Sequence, residues 1–213
     1  MPNGIVLVAG GLDTPHQGSP ELYNPTTRTF SPTGGSAARE VVSSATLLPD
    51  GRVLLAGTGV GADSAYLYDP AAGTLTATGA MIAALWSHTA TLLLDGKVLL
   101  VGGENTPGFV ASAELYDPAS GRFTETGSMA VARWNHTATL LPNGMVLVVG
   151  GWGYDRTISE AELHDPETGR FVSAGPMLSG RCGHTATLLP SGKVLIVGGT
   201  DSSGDIRSAE LFQ

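Results

Sequence analysis

The chain has 213 residues, 42% of them hydrophobic, with 30 glycines, 13 prolines and a formal net charge of −8. This composition suits a sheet protein with many turns and excludes a disordered chain. Lys97 and Lys193 are the only lysines, so no basic surface is available to neutralise phosphates and nucleic acid is excluded as a partner. No apolar run approaches the roughly 18 residues of a membrane span, no basic-then-apolar leader opens the chain, and the lone Cys182 allows no internal disulfide and fixes no compartment.

Taken in order, Met1 to Gly11 reads MPNGIVLVAGG and matches PNGMVLVVGG at 142–151. The chain therefore opens inside a repeating unit, at a hairpin turn, with one strand missing. A variable loop, Leu12 to Ser19, leads to a strand at Glu21-Leu22-Tyr23-Asn24-Pro25 and a short one from Thr29 to Pro32. The next unit opens with Ser43-Ser44-Ala45-Thr46-Leu47-Leu48, turns at Asp50-Gly51, and has its third strand at Tyr66 to Pro70.

Three later stretches repeat one sentence: HTATLLLDGKVLLVGG from His88, HTATLLPNGMVLVVGG from His136 and HTATLLPSGKVLIVGG from His184, spaced 48 residues apart. A fixed period of this size marks a repeat architecture. Asn-Gly between two apolar runs, as in Pro142-Asn143-Gly144, predicts a hairpin with a type I′ turn. The paired glycines then stop the second strand. Third strands follow at Ala113 to Pro118, Ala161 to Pro166 and Ala209 to Gln213. After the first two of these, Asp-Pro-x-x-Gly supplies turn chemistry: a preset φ, a forward-bonding carboxylate and a left-handed glycine.

Each unit thus predicts four short strands, eighteen in all over about four and a half repeats, with approximate bounds 1–35, 36–80, 81–128, 129–176 and 177–213 in a single domain. Second strands such as Val98 to Val101 are apolar on both sides, so both faces of each sheet must be covered. Seven residues past each third-strand aromatic stands an apolar residue (Tyr23 and Phe30, Tyr68 and Leu75, Tyr116 and Phe123, His164 and Phe171), expected to pack between neighbouring sheets.

Paired glycines, then an aromatic, then a second aromatic a fixed step later, at a period near 50, resemble the kelch repeat. The HTATLL wording is most similar to bacterial kelch propellers akin to the central domain of galactose oxidase, and the resemblance covers essentially the whole chain. It implies an all-β, kelch-type β-propeller of four-stranded antiparallel blades, here expected to be open or incomplete because the family closes six or seven blades. Open edges would favour self-association. The resemblance also implies an extracellular or cell-surface setting.

What recurs in every repeat is expected to build the blade, and what appears once is a candidate for function. His88, His136 and His184 recur, so their rings are expected to bond backbone at the start of the first strand. A metal ring is the rival reading, weakened by Ser43 and by the lack of a recurring carboxylate. In the oxidase family a tyrosine precedes the matching histidine and binds copper, and a cysteine is cross-linked to tyrosine. Here Ser87, Asn135 and Gly183 precede the histidines, and Cys182 has no evident tyrosine partner. No catalytic residue, metal ligand or cofactor is expected. Asp201-Ser202-Ser203-Gly204-Asp205 lacks the glutamate of a calcium loop and reads as solvated.

Alternating strands put the tight turns on one rim and the long variable loops on the other, where recognition is expected. The loop-rich rim carries Trp86, Phe109, Arg133, Trp134, Asn135, Trp152, Tyr154, Asp155, Arg156 and Arg181. Trp and Tyr offer flat contacts with a polar edge, and Arg adds forked donors. Trp86 and Trp134 share a repeat position, so padding between blades is their alternative role. Arg133 and Arg181 also share one, which favours an inter-blade bond to backbone. Trp152 and Tyr154 have no counterparts. The expected function is a non-catalytic module that binds a protein or glycan partner. The alternative is a piece of a secreted galactose-oxidase-like enzyme with its copper site elsewhere.

Overall fold

A computed structural model describes residues 1, 4–9, 20–33, 42–58, 63–106 and 108–213. The expected loop from Leu12 to Ser19 lies outside them. The described residues form strands and turns without a helix. Five small antiparallel sheets are the blades of a β-propeller. The first is β1 (Val6–Val8), β2 (Glu21–Asn24) and β3 (Thr29–Pro32). The second is β4 (Val42–Leu47), β5 (Val53–Thr58), β6 (Ser64–Asp69) and β7 (Thr74–Ala77). The third is β8 (Thr89–Leu92), β9 (Val98–Val101), β10 (Ala113–Asp117) and β11 (Arg122–Glu125). The fourth is β12 (Thr137–Leu140), β13 (Val146–Val149), β14 (Glu160–Asp165) and β15 (Arg170–Pro176).

The fifth sheet is β16 (Thr185–Leu188), β17 (Val194–Val197) and β20 (Ala209–Phe212), with a two-stranded hairpin of β18 (Thr200–Asp201) and β19 (Gly204–Asp205) inserted before β20. That hairpin occupies the segment expected to be a plain solvated loop: Thr200 pairs with Asp205, and Ser203 N donates to Asp201 Oδ1. The chain divides into two compact units, residues 1–86 with 117–123 and residues 87–116 with 124–213.

In the first unit, Val53, Leu55 and Tyr68 form a small core under Leu7, Leu22 and Leu75. In the second unit β9 and β13 are buried at every residue, as their sequence requires, whereas β17 leaves Val197 42% exposed. Val146 and Val148 of β13 pack with Leu99 and Val101 of β9. The alternate residues Leu147 and Val149 pack with Val194 and Ile196 of β17. Each such side chain, when fully buried, contributes about 1.5–3 kcal/mol, so stacking rather than any single sheet sets the stability.

The hairpin turns differ from the expected type. Gly144 N donates to Leu141 O at 2.9 Å, and Leu141 N to Met145 O at 2.8 Å. Gly144 alone takes the left-handed region, with φ 85°, while Asn143 does not. Pro142 fixes a negative φ at the head of the loop, and Asn143 Oδ1 accepts from Met145 N at 3.1 Å. The result is a longer loop closed by a left-handed glycine, not a type I′ turn. The aromatic steps gain a second contact. Tyr23 pairs with Phe30 and His164 with Phe171 directly across neighbouring strands of one sheet, with ring centroids 4.9 and 4.8 Å apart. The turn between those strands sets the seven-residue spacing, and Phe171 also packs on the core shared by the third and fourth sheets, as expected.

The recurring histidines are buried, and His136 and His184 join successive blades. His136 Nε2 lies 3.0 Å from Thr89 Oγ1, and His184 Nε2 lies 2.9 Å from Thr137 Oγ1. Each ring therefore meets a hydroxyl of the preceding blade's first strand, besides the expected backbone contact at the strand entrance, which Arg133 and Arg181 supply.

Burial, reinforced by the charge of Arg133 and the neighbouring His88 and His184, lowers His136 to about 3. Burial and Arg181 lower His184 to about 4. The unfolded chain takes up these protons near pH 6.5, so below that pH it binds more protons than the folded chain. The histidine contribution is complete above about pH 6.5 and shrinks as pH falls towards the folded values. We expect urea midpoints to fall between about pH 6.5 and 4.5, above the carboxylate range, at up to about 1.4 kcal/mol per pH unit per ring. His136→Gln should flatten that slope, whereas a pH-independent midpoint would contradict neutral buried rings.

Candidate functional site

The long loops of the second unit gather several of the expected residues. The loop after β9 is folded on itself, with a bridge between Glu104 and Phe109 and Asn105 N donating to Gly108 O at 2.8 Å. The segment leading into β12 pairs with the loop after β13: Trp134 N donates to Trp152 O and Trp152 N to Trp134 O, at 3.1 and 2.8 Å. This two-way bond fixes both tryptophans by their backbones. Their side chains are half-buried.

Phe109 ties the two loops together. Its ring stacks on Trp134 at 6.0 Å and 19°, and meets Tyr154 at 5.4 Å and 49°. Tyr154 Oη donates to Phe109 O at 3.1 Å. The Tyr154 ring also lies so close to Gly108 that a Cβ there would sit 3.3 Å from it. Despite these anchors, Tyr154 is 73% exposed. An exposed aromatic ring held by a hydrogen bond is ordered before any ligand arrives, which lowers the entropy cost of binding.

Beside it, Tyr154, Asp155, Arg156, Val131 and Ile158 line a cavity of about 210 Å³. Arg156 grips Glu160 with two bonds of 2.6 and 3.1 Å. That grip holds the Glu160 carboxyl down at about 2 and raises the Arg156 guanidinium. Asp155 is exposed at the rim of the cavity. Asn135 is exposed in a left-handed conformation, φ 53°, and its carbonyl accepts from Gly183 N at 3.1 Å.

Arg133 and Arg181 are elsewhere in character: both are fully buried. Arg133 Nη1 donates to Gly150 O and Glu160 O, and its Nη2 to Glu162 Oε1 at 2.7 Å. Arg181 repeats the pattern with Gly198 O, Ser208 O and Glu210 Oε1. Each guanidinium bonds within its own blade. The link to the preceding blade runs instead through the arginine's carbonyl, which accepts from Gly103 N for Arg133 and from Gly151 N for Arg181, both at 2.8 Å. Burial lowers the Arg133 pKa, and Glu162 offsets that.

The recurring glutamate of the third strand was not singled out from sequence. Its signal was Ala-Glu-Leu, repeated in the last three copies, at a position that should otherwise be apolar. Trp86, half-buried, belongs to the first compact unit. Cys182 is buried, with Sγ 3.7 Å from Thr200 O. Among the described residues no group of three or more His, Cys, Asp or Glu side chains is placed to hold a metal ion, and no helix is long and apolar enough to cross a membrane. No protein-family model matches the chain, and no curated protein matches it.

Proposed function

We propose that this propeller is of the kelch type and works as a non-catalytic binding module, presenting Phe109, Trp134 and Tyr154 to a protein or glycan partner. The observation that carries this reading is Tyr154: 73% exposed, yet anchored on Phe109 by both ring and hydroxyl. The buried histidines and arginines are committed to joining or bracing blades. That leaves the singular loop residues to meet a ligand. A flat ring with a neighbouring carboxylate and guanidinium suits the apolar face of a sugar, or an aromatic-rich peptide.

Glycan arrays and cross-linking in the native milieu should identify a partner whose affinity falls about tenfold or more with Tyr154→Ala. The melting temperature should stay close to that of the parent, because the ring is largely exposed. Undiminished binding by this variant would contradict the proposal.

A further inference from the structure

We propose a second recognition site on the tight-turn side of the second unit: a groove that takes an arginine side chain flanked by apolar residues on a partner peptide. The hairpin turn after β8, the hairpin turn after β12 and the turn after β14 enclose a cavity of about 560 Å³. That is within the usual range of ligand pockets, about 300–1,000 Å³, and larger than the 210 Å³ cavity beside Tyr154. Short turns alone gave no reason to expect a concavity here.

The groove has two kinds of wall. Leu94 and Met145 supply apolar surface, and Asp95, Asp165 and Glu167 supply three carboxylates, with no cation among the lining residues. Leu94 breaks the repeat: Pro49, Pro142 and Pro190 stand at its position in the other copies. Its side chain is 74% exposed and reaches over the neighbouring turn, since a Cβ on Gly144 would lie 3.2 Å from its Cδ1. A leucine held out in this way, where the scaffold is content with proline, marks the groove as more than a by-product of blade stacking.

Charge complementarity names the occupant. Glu167 is exposed and forms no ion pair with a described residue. Asp165 accepts from Glu167 N on one oxygen and Thr168 Oγ1 on the other, with the Thr168 backbone beside them, and a carboxylate has about four acceptor sites in all. Asp95 accepts from Lys97 N on Oδ1 at 3.0 Å, and its Oδ2 faces a half-exposed Lys97 Nζ at 3.4 Å, a kind of surface pair that is easily given up. An arginine lays its aliphatic stem along Leu94 and Met145 and forks its guanidinium to the carboxylates, which a lysine cannot match in geometry.

The test uses the full chain and a fluorescein-labelled peptide, Gly-Ser-Leu-Arg-Leu-Ser-Gly, read by anisotropy. Saturable binding is expected. It should weaken at least about tenfold when citrulline, which is neutral, replaces arginine, and at least about fivefold with Glu167→Gln. Leu94→Pro, which restores the residue of the other repeats, should weaken binding with an unchanged melting temperature. If that variant unfolds, Glu167→Gln on the exposed turn decides alone. Tyr154→Ala should leave this binding intact, which separates the groove from the aromatic loops. No saturation up to about 1 mM peptide, equal affinity for the citrulline peptide, or indifference to Glu167→Gln would each overturn the proposal.

Discussion

Replacing Arg133 with alanine lowers the free energy of unfolding by about 3–5 kcal/mol. The side chain is fully buried and its Nη1 and Nη2 serve two backbone carbonyls and Glu162. Truncation strands a carboxylate that is itself 5% exposed. It also leaves the buried Gly150 O and the partly buried Glu160 O without these donors, and unpaired buried acceptors are costly. Arg133→Lys cannot recover the loss, because one ammonium cannot reproduce the fork. Removing both charges in Arg133→Met with Glu162→Leu should be milder than Arg133→Ala alone, since no uncompensated charge stays inside. Urea unfolding of the four proteins reads this directly. A loss below about 1 kcal/mol for Arg133→Ala would mean that the pair is solvated.

Gly150→Ala destabilises by about 3 kcal/mol or more, because backbone strain and overlap add. Gly150 has φ +65°, and a Cβ there would stand 2.6 Å from Arg181 O and 2.6 Å from His184 Cε1. The carbonyl cannot yield, since it accepts from Gly151 N at 2.8 Å. Gly192→Ala is the matched control: φ is +82° and nothing lies within 4 Å. It should cost only the strain, about 1–2 kcal/mol. The difference between the two variants in a thermal or urea melt measures the close approach of successive blades. Equal losses would remove that contact from the account.

Much of this fold was legible in the sequence because its signals are local. Hairpin glycines, Asp-Pro turns and doubly apolar second strands each dictate structure within a few residues. β2 and β3 fall where the sequence placed them, and β12 and β13 flank the Pro142-Asn143-Gly144 hairpin as the repeat predicts. What escaped was decided by neighbours far along the chain. The partner of His136 is a hydroxyl 47 positions earlier, and the repeated Thr in HTAT was its only trace. Arg133 was expected to bridge blades, but its fork closes on its own blade through Glu162. Sequence shows that two residues recur together, not which ends meet. The aromatic loops were foreseen as a set, and the structure brings Phe109, Trp134 and Tyr154 into contact. The groove at Leu94 was not foreseen, although a leucine amid prolines was visible, because turn lengths say nothing about the gap between neighbouring turns.

The account rests on the third and fourth repeats laying their glycine pairs against the next repeat's histidine. A nuclear Overhauser spectrum tests this most directly, since a Cβ on Gly102 would lie 2.8 Å from His136 Cε1. Strong cross-peaks are expected from His136 Hε1 to the Gly102 α-protons, and from His184 Hε1 to those of Gly150. Cross-peaks from each histidine to the glycines of its own repeat, with none to the repeat before, would contradict blade-on-blade stacking.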